Sequence, residues 1–229
     1  MQLHDNATRA LRRGDREAAI AAADQMVKLE HPDAVVYRLV GDIYLRASKP
    51  ALAVEMFDRY LKKQPQALPE LWQRGIALYF AGDYRRAAEQ FQVHRRVNPN
   101  DVENAAWHFL CVAKAEDFEA AKKNVLPAPN DPRIPMAEVL ELLKTGDTQL
   151  VIERVGQTPE GSRDRESAQF YGDVYLGLYA DAKGNLDRAT QWMERAAKDA
   201  PRHYMGDVAR VYADYLREQA KATSQPPKR

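Results

Sequence analysis

One spacing dominates this chain. Glycine, phenylalanine and proline each recur 34 positions apart, at Gly41 and Gly75, Phe57 and Phe91, and Pro65 and Pro99. A unit of this length is one helix-turn-helix that cannot bury its apolar face alone, so successive units must stack to form a continuous core. The spacing therefore predicts an all-α repeat protein.

Two copies of the unit can be aligned residue by residue. The first contains Tyr37, Val40, Gly41, Tyr44, Ala53, Phe57 and Pro65, and the second contains Leu71, Arg74, Gly75, Leu78, Ala87, Phe91 and Pro99. The small residues let two antiparallel helices approach closely, the phenylalanines fill the space beside them, and the prolines end each second helix. Arg74 departs from the pattern, because it stands where an aliphatic residue is expected.

This pattern resembles that of the tetratricopeptide repeat (TPR) family, in which a bulky residue is followed by Leu-Gly, Tyr, Ala, Phe and Pro at set distances. The resemblance implies a right-handed superhelix of antiparallel helix pairs, which is an α-solenoid. It also implies a function in binding other proteins.

Weaker copies extend the repeat in both directions. We predict regular repeats at about 34–99 and a degraded repeat at 101–126. An irregular segment is predicted at 127–163, with short amphipathic pieces at 136–144 and 148–155. After it we expect a further TPR at 164–201, a capping helix at 204–220 and a disordered tail at 221–229. A first repeat with a short opening helix is indicated by Gly14, Ala19, Ala23 and Pro32. Because Gly184 and Pro201 lie 102 positions, or three periods, after Gly82 and Pro99, we expect one solenoid domain over 1–229.

Composition narrows the classes of partner. Basic and acidic residues nearly balance, at 34 and 33, so the chain has no positive field to hold a phosphate backbone and nucleic acid is not expected as a partner. No apolar run reaches the roughly 18 residues that cross a bilayer, so we expect no direct membrane insertion. The polar start of the chain predicts no signal peptide in this sequence, and a leader removed beforehand stays an open alternative.

Chemistry-bearing motifs are absent from the sequence. It contains no zinc-binding histidine pair, Cys-x-x-Cys, phosphate-binding glycine loop or nucleophile elbow, so we expect no enzyme activity, no catalytic residue, no cofactor and no metal. The single cysteine, Cys111, lies in an apolar stretch and is predicted to be a packed small residue. Its lack of a disulfide partner leaves the compartment undetermined.

A polar cluster runs from His94 to His108 around the turn Asn98-Pro99-Asn100-Asp101. Two converging imidazoles with a carboxylate would suit a metal ion. The preferred interpretation is structural: Asn100 or Asp101 caps the following helix, and the histidines hydrogen-bond the turn.

The first helix of each TPR pair lines a concave groove. Placing these helices by the aligned glycines predicts that the groove is lined by Arg38, Asp42, Arg46, Trp72, Gln73, Ile76, Tyr79, Phe80, Trp107, Leu110 and Lys114. Aromatic rings flanked by arginine suit an extended peptide or an amphipathic helix, because rigid rings bury a large area at low entropy cost. The alternative is that later helices fold back and cover these rings as core.

The chain also resembles a narrower group, the bacterial NlpI-type TPR lipoproteins. The resemblance rests on the stretch Arg74 to Phe80, on Asn98 to Asp101, and on Gly184 to Asp187. It implies a homodimeric adaptor of the bacterial envelope that brings proteases or cell-wall hydrolases to their clients. The lipid-bearing cysteine and leader of that group are not in this sequence, so the periplasm is implied if a leader was removed and the cytoplasm otherwise.

Two hypotheses of function follow. The first is a non-catalytic adaptor or scaffold that binds a peptide or helical segment in the groove. The second is a self-assembling structural TPR protein whose groove aromatics serve dimer or internal packing.

Overall fold

The structure is a computed structural model that describes residues 2–29 and 33–224. Over these residues the regular structure is entirely helical, and the predicted all-α fold class is confirmed. In chain order the elements are α1 (Gln2–Arg12), α2 (Arg16–Val27), α3 (Ala34–Arg46), α4 (Pro50–Lys63), a 3-10 helix (Pro65–Glu70), α5 (Trp72–Phe80), α6 (Tyr84–His94), α7 (Val102–Ala115), α8 (Phe118–Lys123), α9 (Met136–Thr145), α10 (Thr148–Gly156), α11 (Arg163–Ala182), α12 (Leu186–Lys198) and α13 (Tyr204–Ser224).

The chain divides into two compact units. Unit 1 spans Met1–Val97 and unit 2 spans Asn98–Arg229. Unit 1 contains three consecutive helix pairs, α1 with α2, α3 with α4, and α5 with α6, and each pair packs on the next through α2 with α3 and α4 with α5. This is the stacking that the repeat predicts within unit 1. One continuous solenoid domain over 1–229 stays a prediction.

The repeated glycines and phenylalanines of unit 1 pack against each other. A Cβ atom added at Gly41 would lie 2.8 Å from the Phe57 ring, and one added at Gly75 would lie 2.6 Å from the Phe91 ring. Both rings are fully buried. The glycines are therefore needed for close approach, so that the ring of the second helix can rest directly on the backbone of the first.

Replacing Gly75 with alanine is expected to lower the free energy of unfolding by about 2 kcal/mol, because the new methyl group overpacks the core against Phe91. The opposite sign would follow from helix propensity alone. Gly156→Ala is the matched control, since no atom lies within 4 Å of a Cβ added there. Urea denaturation of both variants measures the difference, and a Gly75→Ala protein as stable as the control would contradict the packing argument.

The turns inside the helix pairs repeat as well. Gly14, Ser48 and Gly82 all have positive φ angles, of 75°, 60° and 82°, and they are separated by the same 34 positions. Serine is strained in this left-handed region because its Cβ crowds the following carbonyl oxygen. The Oγ atom of Ser48 is also buried, and it has no hydrogen-bond partner in the described part of the chain.

Ser48→Gly is therefore expected to raise the free energy of unfolding by about 1 kcal/mol, because it removes both the strained backbone conformation and the buried hydroxyl. Thermal unfolding measures this as an increase in Tm. The converse change at the equivalent turn, Gly82→Ser, should lower Tm. A decrease in Tm for Ser48→Gly would show that the hydroxyl contributes more than the strain costs.

Unit 2 departs from a regular array. Helix α8 has 6 residues, a non-helical proline-rich segment follows it, and the pair α9–α10 lies within one residue of the two predicted amphipathic pieces. The last pair is α11–α12, where Gly177 approaches Met193 as the earlier glycines approach phenylalanine. Helix α13 continues to Ser224, four residues beyond the predicted end of the capping helix. Pro32 and the tail residues 225–229 lie outside the described residues.

Candidate functional site

Three predicted groove residues of unit 1 belong to its core. Ile76, Tyr79 and Phe80 are buried. The Tyr79 ring packs edge-on against Phe80, with 5.3 Å between ring centroids, and at a tilt against Tyr84, with 5.4 Å between centroids. The prediction that these side chains line an open groove is therefore wrong, because aromatic pairing and burial in the core satisfy them instead.

In unit 2 the predicted groove face of α7 is covered by later helices. Trp107 and Leu110 are buried, and the Trp107 ring lies 5.6 Å from the ring of Tyr212 on α13. Lys114 Nζ lies 2.6 Å from Asp181 Oδ1 on α11. Exposed placement of Trp107 and Leu110 is thus also wrong, and the alternative, in which later helices fold back over these rings, describes this part of the chain.

The other five predicted residues keep partly exposed side chains. They are Arg38, Asp42, Arg46, Trp72 and Gln73. All lie on α3 or α5, the first helices of two consecutive pairs. Arg46 and Asp42 form an ion pair of 3.9 Å across one helical turn, and the Oε1 atom of Gln73 is buried without a hydrogen-bond donor among the described residues. We call this set the α3–α5 face. Its use as a binding surface stays a prediction.

The polar turn near His94 is only partly as predicted. Asp101 caps α7 by accepting a hydrogen bond from the backbone N–H of Glu103 at 3.2 Å, as expected. His94 does not bond to this turn: its Nδ1 lies 2.7 Å from the carbonyl oxygen of Pro69. Burial lowers the pKa of His108 to about 4, so this imidazole is neutral near pH 7. Over the described residues, no group of three or more histidine, cysteine or acidic side chains has the arrangement that could hold a metal ion.

Sequence reasoning missed a partly buried polar network in unit 1, in which Arg74 and Gln90 are buried. Arg74 donates from Nε to Asp58 Oδ1 at 2.7 Å and from Nη1 to Gln90 Oε1 at 3.0 Å. Gln90 in turn donates to the carbonyl oxygen of Leu68 at 2.8 Å, and Arg86 donates to the second oxygen of Asp58 at 2.8 Å. Partial burial of Asp58 works against its charge, but hydrogen bonds from the two arginines prevail and lower its pKa.

The departure of Arg74 from the repeat pattern was the available signal for this network. Arg74 occupies the position of Val40 in the preceding copy, which is fully buried. A charged residue at a core position needs a partner nearby. Here the partners lie 16 positions before and after Arg74, at Asp58 on α4 and Gln90 on α6.

A second ion-pair cluster lies in unit 2. Arg133, in the proline-rich segment, contacts the carboxylates of Asp101, Glu103 and Asp131. Tyr175 on α11 donates to Glu103 Oε2 at 2.6 Å. Burial raises the pKa of Glu103 in spite of these partners. The cluster joins the irregular segment to α7 and α11.

The tetratricopeptide repeat family model matches residues 4–67. This range covers α1 to α4 and the start of the 3-10 helix. With the helix pairs and the repeated glycine-phenylalanine packing, the match supports a protein that contains tetratricopeptide repeats. Such repeats are generally modules of protein–protein interaction. In the described part of the chain, no helix combines the length and apolar composition that a membrane crossing needs.

Proposed function

We propose that this protein is a non-catalytic adaptor or scaffold that binds a peptide or helical segment of a partner on the α3–α5 face. The observation that carries the proposal is the accessibility of Arg38, Trp72 and Gln73 on first helices of the repeat, while the aromatics behind them are packed as a rigid core. A rigid face with one accessible tryptophan and charged neighbours has the composition of an interaction hot spot.

The polar character of the face favours a partner segment with both apolar and charged residues. Trp72 offers a large ring for an apolar side chain. Arg38 offers a guanidinium group for a carboxylate of the partner. By resemblance to the NlpI-type lipoproteins, we further propose a bacterial adaptor for proteases or cell-wall hydrolases and their clients, with the periplasm as its compartment if a leader was removed and the cytoplasm otherwise.

Trp72→Ala is expected to weaken binding of a selected peptide by about 2 kcal/mol, or about 30-fold in Kd, with a small change in stability. Peptides are selected from a random library against the wild-type protein, and isothermal titration measures their affinity for each variant. Leu52→Ala on α4 is the matched control, because Leu52 is 40% exposed and lies outside the face. Equal affinity of both variants for all selected peptides would contradict the proposal.

The second candidate is a structural TPR protein whose aromatics serve packing. The burial of Tyr79, Phe80 and Trp107 favours it over part of the predicted groove. The NlpI-type resemblance extends this candidate to a homodimer. Sedimentation equilibrium separates the two candidates. A monomer at all protein concentrations would exclude self-assembly. A dimer that binds the selected peptides as tightly as the monomer does would support both roles together.

A further inference from the structure

A cavity of about 530 Å³ lies in unit 1 between α4, α6 and the 3-10 helix. Its apolar lining comes from Leu61, Leu68 and Val93, which are all partly exposed. Arg74 also lines it, and the side chain of Arg74 is only 10% exposed. Selective binding pockets combine an apolar lining, which buries ligand surface, with a few polar groups that fix the orientation of the ligand. This recess has both properties.

The guanidinium of Arg74 has hydrogen-bonding capacity left over. Arginine carries five N–H donors in a planar fork. Nε is directed to Asp58 and Nη1 to Gln90, and within the described ranges no protein acceptor lies at Nη2. Because the side chain of Arg74 borders the cavity, a ligand that enters the cavity can supply an acceptor for Nη2 in place of water.

The charges around the cavity favour an anionic group. Three cationic side chains, Lys62, Arg74 and Arg86, and two carboxylates, Asp58 and Glu89, line it. Asp58 is shared between the two arginines, at 2.7 Å from Arg74 and 2.8 Å from Arg86. One carboxylate thus balances part of two guanidinium charges, and the lining retains one positive charge in excess. A ligand group with a single negative charge would be complementary.

We propose that this cavity is a docking site for a partner protein, and that it receives an aspartate or glutamate side chain of the partner with an aliphatic side chain beside it. The carboxylate accepts a charge-assisted hydrogen bond from Nη2 of Arg74, and the aliphatic group packs against Leu61, Leu68 and Val93. The site is lined by α4, α6 and the 3-10 helix, with Arg74 reaching it from α5. It shares no residue with the α3–α5 face, so either proposal can fail without the other.

The test uses two tripeptides with capped, uncharged termini, N-acetyl-Leu-Glu-Leu-amide and N-acetyl-Leu-Gln-Leu-amide. They differ only in the central side chain, which is a carboxylate in the first and a neutral amide in the second. Each is titrated into the ¹⁵N-labelled 229-residue chain, and the Nε–H signal of Arg74 and the backbone signals of α4 and α6 are followed by NMR. We expect saturable shifts with the glutamate peptide and at least tenfold weaker binding of the glutamine peptide. Sodium phosphate in a third titration distinguishes a site for small free anions.

Leu61→Asp should abolish the shifts, because it places a like charge at the wall of the cavity. Leu52→Asp, on the exposed side of the same helix, should leave them unchanged, and melting curves confirm that both variants are folded. Equal binding of the two peptides, binding of phosphate without binding of the glutamate peptide, or unchanged binding to Leu61→Asp would each overturn the proposal. In those cases Arg74 serves only to hold Asp58 and Gln90.

Discussion

Replacing Trp107 with alanine is expected to lower the free energy of unfolding by about 3–5 kcal/mol. The Trp107 side chain is 2% exposed and packs beside Tyr212. Its removal leaves a cavity between α7 and α13 that the surrounding helices can only partly close. Urea denaturation followed by circular dichroism measures the loss, and a Trp107→Phe variant, expected to lose less, keeps the comparison measurable if the alanine variant does not fold.

Trp192→Ala is the matched control for this prediction. Trp192 is partly exposed on α12 and has the guanidinium of Arg195 over its ring at 4.4 Å. Loss of that contact should lower the free energy of unfolding by about 1 kcal/mol. Similar losses for both tryptophans would show that α13 does not hold Trp107 as core, and would restore the open-groove hypothesis for α7.

Acidification is expected to destabilise the protein through His108. Its pKa is about 4 in the folded state, against about 6.5 for an unperturbed histidine. The unfolded chain therefore takes up the proton first, so the full contribution of the neutral imidazole is present above pH 6.5 and is lost as pH falls from 6.5 to 4. The loss over this range is roughly 3 kcal/mol, from about 1.4 kcal/mol per pKa unit.

His108→Gln isolates this contribution, because it retains a polar side chain of similar length that does not titrate. Unfolding free energies of both proteins are measured from pH 7.5 to pH 4, and their difference is plotted against pH. Buried Glu103 acts in the opposite direction, since its pKa is raised, but it is common to both proteins and cancels. A difference that does not change with pH would show that His108 is solvated in the folded state.

The helix pairs of unit 1 were predictable because their contacts are short in sequence and repeat. Gly41 with Phe57 and Gly75 with Phe91 are both separated by 16 positions, and one spacing rule places both pairs. Capping followed the same logic, since Asp101 bonds to a backbone N–H two residues away. The polar network of Arg74 was signalled by the departure of this residue from the repeat pattern, although the sequence analysis did not name the partners of Arg74.

The candidate groove was predictable only in part. Periodicity placed Arg38, Asp42, Arg46, Trp72 and Gln73 on first helices, and these five and Lys114, six of the eleven residues, have partly exposed side chains. Periodicity could not show that Tyr79 is packed in the core beside Phe80 and Tyr84, because an apolar helix face has the same spacing whether it lines a groove or is buried in a core. Side-chain exposure depends on what packs above a helix, and periodicity carries no information on that.

The sequence by itself determined the helical class, the repeat unit and the bounds of α9 and α10 to within one residue, because these depend on interactions within one or two turns of helix or between neighbouring helices. Only the tertiary structure decided what covers α7. Trp107 meets Tyr212, and Lys114 meets Asp181, across more than sixty positions of chain that contain the irregular segment. Such long-range pairs are set by the path of the whole chain, and no local spacing specifies them.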